Sequence, residues 1–232
     1  RVTVSLSGDG ADELFAGYYR YLAIRNMRKT DVIPMPLRKA LAAVIRAVSP
    51  AGADERRFWG KVRRVSTAMA TPPQGRYHDI LCRFHDSSKR AVYGEFFHDS
   101  TLENTSRLLN PDLGALSASN AVEKVMELDL HGYLPGDILP KIDIASMANS
   151  LELRSPFLDH RVVEFAASLP LDYKQTGERR KRILYDACED LIPPPLRQRT
   201  KLGFGVPIAD WLRGPWAKLA RERLLDGGTI AA

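Results

Sequence analysis

Asp9 and Asp12 stand three residues apart in Ser7-Gly8-Asp9-Gly10-Ala11-Asp12-Glu13, an acidic turn bracketed by glycines. Two carboxylates so placed can hold a hard cation or move a proton, and Gly8 and Gly10 let the backbone approach a ligand closely. The turn must be held from both sides. Before it, Val2, Val4 and Leu6 alternate with Thr3, Ser5 and Ser7, a period of two that predicts a short strand over about residues 2–6. After it, the spacing of Leu14, Phe15, Tyr18, Tyr21, Leu22 and Arg25 predicts one amphipathic helix reaching about Lys29. The first N–H groups of such a helix point back into the turn and suit a phosphate. The glycines alone are a weak signal, because Glu13 stands where a dinucleotide fingerprint has its third glycine. A carboxylate at a helix start is also more often only a first-turn charge. Two carboxylates beside a phosphate would repel it, however, and bound Mg²⁺ resolves that conflict.

The 232 residues, 44% hydrophobic and 8% aromatic, describe an ordinary globular chain with room for one sizeable domain. No apolar run approaches the roughly 20 residues of a membrane helix. Cys82 and Cys188 lie far apart, and the five histidines show no ligand spacing, so a transition-metal site is not expected. Two thiols that read as idle in a reducing compartment point to the cytoplasm. The net charge is +6, and from Arg20 to Arg64 twelve basic residues face three acids. No aromatic interleaving or binding motif accompanies that stretch, so it reads as solvated helix surface rather than a nucleic-acid interface.

The remaining chain is helical in pattern. Leu37, Leu41, Val44, Ile45 and Val48 form a stripe expected in the core, as do Phe58, Val62, Val65 and Met69 on a helix that Asp54 can cap. Gly17, inside the first helix, is expected to admit a close neighbour. From Ser119 a helix runs to Tyr133, Leu134-Pro135-Gly136 is expected to stop it, and Asp137 to cap the next. Glu152 and Arg154 read equally well as a buried ion pair, and Asp159 as a helix cap. Arg179-Arg180-Lys181-Arg182 reads as a solvated basic turn opening a helix to about Leu191. Lys201, with Gly203 and Gly205 behind it, sits on a loop from which a lysine can reach a phosphate. Residues 2–6 lack an evident partner strand, which predicts further strands upstream or pairing with another chain.

Three blocks carry a family resemblance. Ser7 to Tyr18 is similar to the Ser-Gly-acid-Gly-x-Asp-Glu-x-Phe-x-Gly-Tyr run at the active site of the asparagine synthetases. Leu139-Pro-Lys141-Ile-Asp143, followed by Ser146 through His160, resembles their second block, and Arg199-Thr-Lys201-Leu-Gly203-Phe204-Gly-Val-Pro207 a third. The blocks come in the family's order and span the chain almost end to end. Two positions depart from the pattern: Ala16, where glycine is frequent, is expected to matter little, and Ile144 removes an arginine common in the family.

The resemblance implies that residues 1–232 are the carboxyl-terminal part of the synthetase domain. That part would be a mainly α fragment of an α/β domain of the adenine-nucleotide α-hydrolase, ATP pyrophosphatase type, with one short strand at its amino end. The pyrophosphate loop and the glutaminase domain are expected upstream of Arg1, so the fragment alone is expected to be inactive. The implied reaction uses ATP and Mg²⁺ to adenylate aspartate, and ammonia derived from glutamine then displaces AMP. Asp9 and Lys201 are the implied catalytic residues; Ser7, Gly8, Asp9 and Gly10 would meet the nucleotide, and Asp12 the metal. Tyr18, Lys141, Asp143, Glu152, Arg154 and Asp159 would lie near the acceptor. The partners implied are small molecules, with no nucleic acid and no membrane, and a homodimer is allowed. Two other readings stand beside this one: a relative amidating a different carboxylate, and a helical binding module without chemistry.

Overall fold

Val4–Leu6 (β1) pairs in parallel with Glu152–Arg154 (β2), in the register Val4 to Glu152, Ser5 to Leu153 and Leu6 to Arg154. The opening strand therefore has a partner within the chain, contrary to the expectation that it must come from upstream or from another chain. Three residues are too few for β2 to show an alternation in sequence. The computed structural model describes residues 2–49, 58–82, 84, 89, 92, 116–197 and 206–224. They form two compact units, Arg1–Cys188 and Glu189–Ala232.

In the first unit the helix expected from the turn to Lys29 is two helices, Ala11–Leu14 (α1) and Tyr19–Arg28 (α2). The break is a left-handed C-terminal cap. Ala16 has φ 53°, and the Gly17 N–H donates to the Asp12 carbonyl at 2.8 Å, six residues to one. This conformation normally belongs to glycine, because an L side chain there costs about 1–2 kcal/mol. Ala16 is thus not the idle replacement that its size suggests.

Met35–Val48 (α3) packs on Phe58–Ala70 (α4). Asp54, expected to cap α4, lies outside the described residues. The buried residues described on the pair are Arg38 and Ala42 on one side and Gly60, Ser66 and Ala68 on the other, whereas Leu37, Leu41, Val44, Val48, Phe58 and Val65 stay exposed. Most of the apolar stripes expected in the core therefore stay outside it, with only Ile45, Val62 and Met69 half-buried. A charge cluster sets the rotation of α3 instead: Arg38 donates to Asp31 at 2.8 Å and to the Met69 carbonyl at 3.1 Å. Buried Arg76, opening Arg76–Leu81 (α5), clasps the same Asp31 carboxylate.

Ala121–Leu128 (α6) is capped by Asn120, whose side chain accepts the Val122 N–H at 2.8 Å. It does not stop at Pro135. Asp129–Ile138 forms a π-helix that runs without interruption into Leu139–Met147 (α7). The wider i to i+5 spacing carries the chain past a residue with no N–H to give, so Asp137 lies inside a helix rather than capping one. Asp159 does cap His160–Ser168 (α8), accepting the Arg161 N–H at 3.0 Å.

Leu171–Lys174 (α9) leads into a hairpin, Gln175–Thr176 (β3) against Arg179–Arg180 (β4), before Arg182–Ala187 (α10). The basic run at 179–182 therefore does lead into a helix, but as a strand, a left-handed residue, Lys181 at φ 50°, and only then the first helical residue, Arg182, and the helix ends at Ala187 rather than near Leu191. One core cluster joins Ala16, Tyr21, Ile24 and Tyr77 to Val122, Val125, Met126 and Leu128, and a second gathers Leu14, Phe15 and Ala166 with Phe157, Val162, Ile183 and Leu184. The second unit contains Pro194–Arg197 (α11), Ile208–Arg213 (α12) and Ala217–Leu224 (α13), with the Trp211 and Trp216 rings 4.7 Å apart. No described helix is long and apolar enough to cross a membrane.

Candidate active site

The acidic turn leaves the end of β1 where open α/β sheets bind ligands, beyond the carboxyl ends of parallel strands. Two of its glycines are required by geometry. Gly10 has φ 87°, and a Cβ there would run into Leu158; a Cβ at Gly17 would collide with the Asp12 carboxylate and the Lys181 side chain. Among the described residues nothing lies within 4 Å of a Cβ placed at Gly8. The Ala11 N–H donates to the Gly8 carbonyl at 3.3 Å, and among the described residues no acceptor takes the N–H of Gly8, Asp9 or Gly10. Successive free donors of this kind suit an anion.

Ser7 is committed differently. Its N–H donates to the Arg154 carbonyl at 2.8 Å and its hydroxyl to Asp9 Oδ2 at 2.6 Å, so both of its donors are spent inside the protein. Its hydroxyl also lies 2.8 Å from that of Ser155.

The cation at this turn is one that sequence reading passes over. Lys181 Nζ lies 3.0 Å from Asp12 Oδ1, with both side chains about four-fifths buried. Three contacts deliver it. The Lys181 backbone N–H donates to the Phe15 carbonyl at 3.1 Å, Arg180 donates to the Gly17 carbonyl at 2.9 Å, and the Arg180 guanidinium lies 3.7 Å over the Tyr19 ring. A run of four basic residues reads as solvated surface, and only the Gly177-Glu178 pair before it, which forms the hairpin's turn, hints at a tight reversal.

Behind α1 lies a buried polar network. Glu13 is fully buried and accepts the Tyr18 hydroxyl at 2.7 Å; burial pushes its carboxyl up. Arg20 stacks on the Tyr18 and Tyr133 rings, 3.8 and 4.4 Å from their centroids, and donates to Asp129 at 2.8 Å. Asp129, also fully buried, accepts the hydroxyls of Tyr21 at 2.5 Å and Tyr77 at 2.9 Å, and burial raises its carboxyl too. Asp129 sits in the apolar stripe of α6 and the π-helix, which is its one signal in sequence. Tyr18, expected near the acceptor, spends its hydroxyl on this network.

The other expected residues divide. Glu152 and Arg154 stand on β2 beside β1, but as an exposed pair 2.8 Å apart and not a buried one. Asp159 is engaged as a cap and by the Arg161 side chain, whose hydrogen bonds hold its carboxyl well below the usual range. Lys141 is exposed and pairs with Asp137 at 3.4 Å; neither it nor exposed Asp143 touches the turn among the described residues. Lys201 lies outside the described residues.

No cluster of three or more ligating side chains exists among the described residues. A single carboxylate such as that of Asp12, four-fifths buried beside Lys181, does fit Mg²⁺ held jointly with substrate phosphates, because that ion keeps waters and needs few protein ligands.

Comparison with known proteins gives the family of the chain. The family model described as asparagine synthase matches residues 1–230. The chain is 34% identical over 230 residues to asparagine synthetase [glutamine-hydrolyzing] 1 of Bacillus subtilis, covering 99% of this chain and 35% of that protein. It is 37% identical over 212 residues to a putative asparagine synthetase [glutamine-hydrolyzing] of Mycobacterium tuberculosis, covering 91% of this chain and 31% of that one. An 89-residue stretch is 35% identical to human asparagine synthetase [glutamine-hydrolyzing], covering 37% of this chain and 16% of the human protein. The chain thus spans about a third of the length of the bacterial relatives. No solved structure matches it. With a match over nearly its whole length, the chain belongs to the asparagine synthase family.

Proposed function

We propose that this chain is the carboxyl-terminal part of an ATP pyrophosphatase-type synthetase domain that converts aspartate to asparagine. In the proposed reaction an oxygen of the aspartate side-chain carboxylate attacks the α-phosphorus of ATP and pyrophosphate leaves. Ammonia then attacks the carbonyl carbon of the β-aspartyl-AMP, gives up a proton, and AMP departs with the bonding pair. Ammonia comes from glutamine at a glutaminase domain of the same protein, and the reaction runs in the cytoplasm, in keeping with two unpaired cysteines.

The observation that carries this reading is the meeting of Asp12, Lys181 and the free N–H groups of Gly8 to Gly10 at one strand end. Backbone donors and an ammonium can take the negative charge that builds on phosphate during adenylation. Asp12 would hold Mg²⁺, which supplies further charge neutralisation there. Asp9, with Oδ2 fixed by Ser7, keeps Oδ1 for the proton of the attacking ammonia. Lys201 is a second candidate for phosphate contact, on the family resemblance of its block.

The test uses the full-length protein with ammonia, aspartate and ATP, and measures pyrophosphate and asparagine separately. Asp9→Asn keeps the side chain's size and removes its basicity, so asparagine formation should fall about 10²- to 10⁴-fold while pyrophosphate release persists. Asp12→Asn should depress the Mg²⁺-dependent first step. Full activity of both variants would overturn the assignment.

A further inference from the structure

We propose that Ser155 is a positioning residue that aims the Asp9 carboxylate through Ser7, an inference that rests on the role proposed above for Asp9. Ser155 Oγ lies 2.8 Å from Ser7 Oγ, and Ser7 Oγ lies 2.6 Å from Asp9 Oδ2. The direction of these bonds follows from counting protons. An ionised carboxylate only accepts, so Ser7 gives its single hydroxyl proton to Asp9. The contact between the two serines then has one proton left to it, that of Ser155, which donates to Ser7. The result is a one-way chain from Ser155 to Ser7 to Asp9.

Ser155 itself is held from both sides. Before it, the β1–β2 ladder continues one step through the Ser7 N–H to the Arg154 carbonyl. After it, Pro156 restricts Ser155 to an extended conformation, observed at φ −111° and ψ 91°, and the Leu158 N–H returns to the Ser155 carbonyl at 2.9 Å. Leu158 in turn closes against Gly10, at the far side of the same turn. Two parallel strands and one short helical turn therefore bring a hydroxyl 148 residues away in sequence to the back of Asp9. Donation into Ser7 strengthens the bond that Ser7 makes, since linked hydrogen bonds polarise one another. Nothing else in this contact requires serine: the strand ladder and the Leu158 packing use only backbone and neighbouring side chains.

The experiment replaces Ser155 in the full-length protein and follows pyrophosphate and asparagine separately, with ammonia supplied. Ser155→Ala should slow asparagine formation about three- to tenfold, the usual worth of one neutral hydrogen bond, leaving pyrophosphate release and the KM for ATP unchanged. Ser155→Thr keeps the hydroxyl and should restore the rate, while Ser155→Val, of the same shape, should not. In a Ser7→Ala background, Ser155→Ala should cost nothing more, because the chain is already cut. The proposal fails if Ser155→Val equals Ser155→Thr, if both half-reactions fall together, or if the two alanine effects add. Asp9→Asn separates the causes: if it is fully active, the reading of Asp9 fails; if it is impaired and the Ser155 variants are not, only the role of Ser155 fails. Should Ser155→Ala not fold, the threonine and valine pair decides by itself.

Discussion

Replacing Lys181 by methionine tests the centre of the site. The side chain keeps its length and the backbone keeps its left-handed conformation, which costs any non-glycine residue about the same, so the substitution reports on charge. At 3.0 Å, with the two side chains about 22% and 21% exposed, the gross attraction is about 5–6 kcal/mol at an effective dielectric of 20 and about 1.4 kcal/mol in water. Desolvation cancels much of the larger figure, so removing the ammonium should destabilise the fold by about 2 kcal/mol. For a chain of this size that lowers Tm by about 4–8 °C. Mg²⁺ should then have an effect that it lacks in the parent: with no ammonium on Asp12, the ion alone should return part of the lost Tm. Pyrophosphate release at saturating ATP should fall about 10²- to 10³-fold, the usual loss for one preorganised donor to developing charge. Asp12→Asn combined with Lys181→Met should be less damaged than the two single effects added. A Lys181→Met variant that releases pyrophosphate within about twofold of the parent would show that the lysine only braces the fold.

Three further outcomes follow from the interior. Asp31→Ala should cost about 3–5 kcal/mol in urea unfolding, because Arg38 and Arg76 are left buried with their shared carboxylate gone. The Arg76 hydrogen bond lowers the Asp31 pKa below its ordinary 3.8, so its contribution is present above that pH and is lost as pH falls through the lower folded value; Asp31→Asn should flatten that acid limb of the stability profile. Ala16→Gly should change stability by less than about 1 kcal/mol: it relieves about 1–2 kcal/mol of left-handed strain, loses about 0.8 kcal/mol of buried methyl and about 0.4–1 kcal/mol through the freer unfolded chain, and a calorimetric shift of many degrees either way would refute that balance.

The turn, its strand and its helix start are legible in the sequence, because glycine spacing and a period of two are local signals. The partner strand is not, since β2 is three residues long and pairs with a strand 148 residues earlier in the chain. Local propensity also misjudges Ala16 and Pro135. A left-handed cap and a π-helix are conformations those residues disfavour in isolation, and the surrounding packing imposes them. The apolar stripe of α3 is visible as a stripe but mostly does not mark core, since Leu37, Leu41, Val44 and Val48 stay exposed while the clasped Arg38 turns inward. Lys181 escapes for a related reason: four adjacent cations look alike in sequence, and only the hairpin decides which one reaches Asp12.

The parallel pairing of β1 with β2 also sets an order of assembly. Joining Ser7 to Ser155 closes a loop of about 148 residues, at an entropic cost of about 4 kcal/mol that no contact made earlier in the chain offsets at that site. The helices between them, built on local contacts, can form while the acidic turn is still without its backing strand. During synthesis the turn therefore stays unfinished until Glu152–Ser155 has left the ribosome, and a chain cut short before that point carries Asp9 and Asp12 without the strand that holds them in place. Hydrogen exchange during refolding should show this delay, with the Ser7 and Glu152 amides, which donate to Arg154 and Thr3, protected after those of α2 and α6.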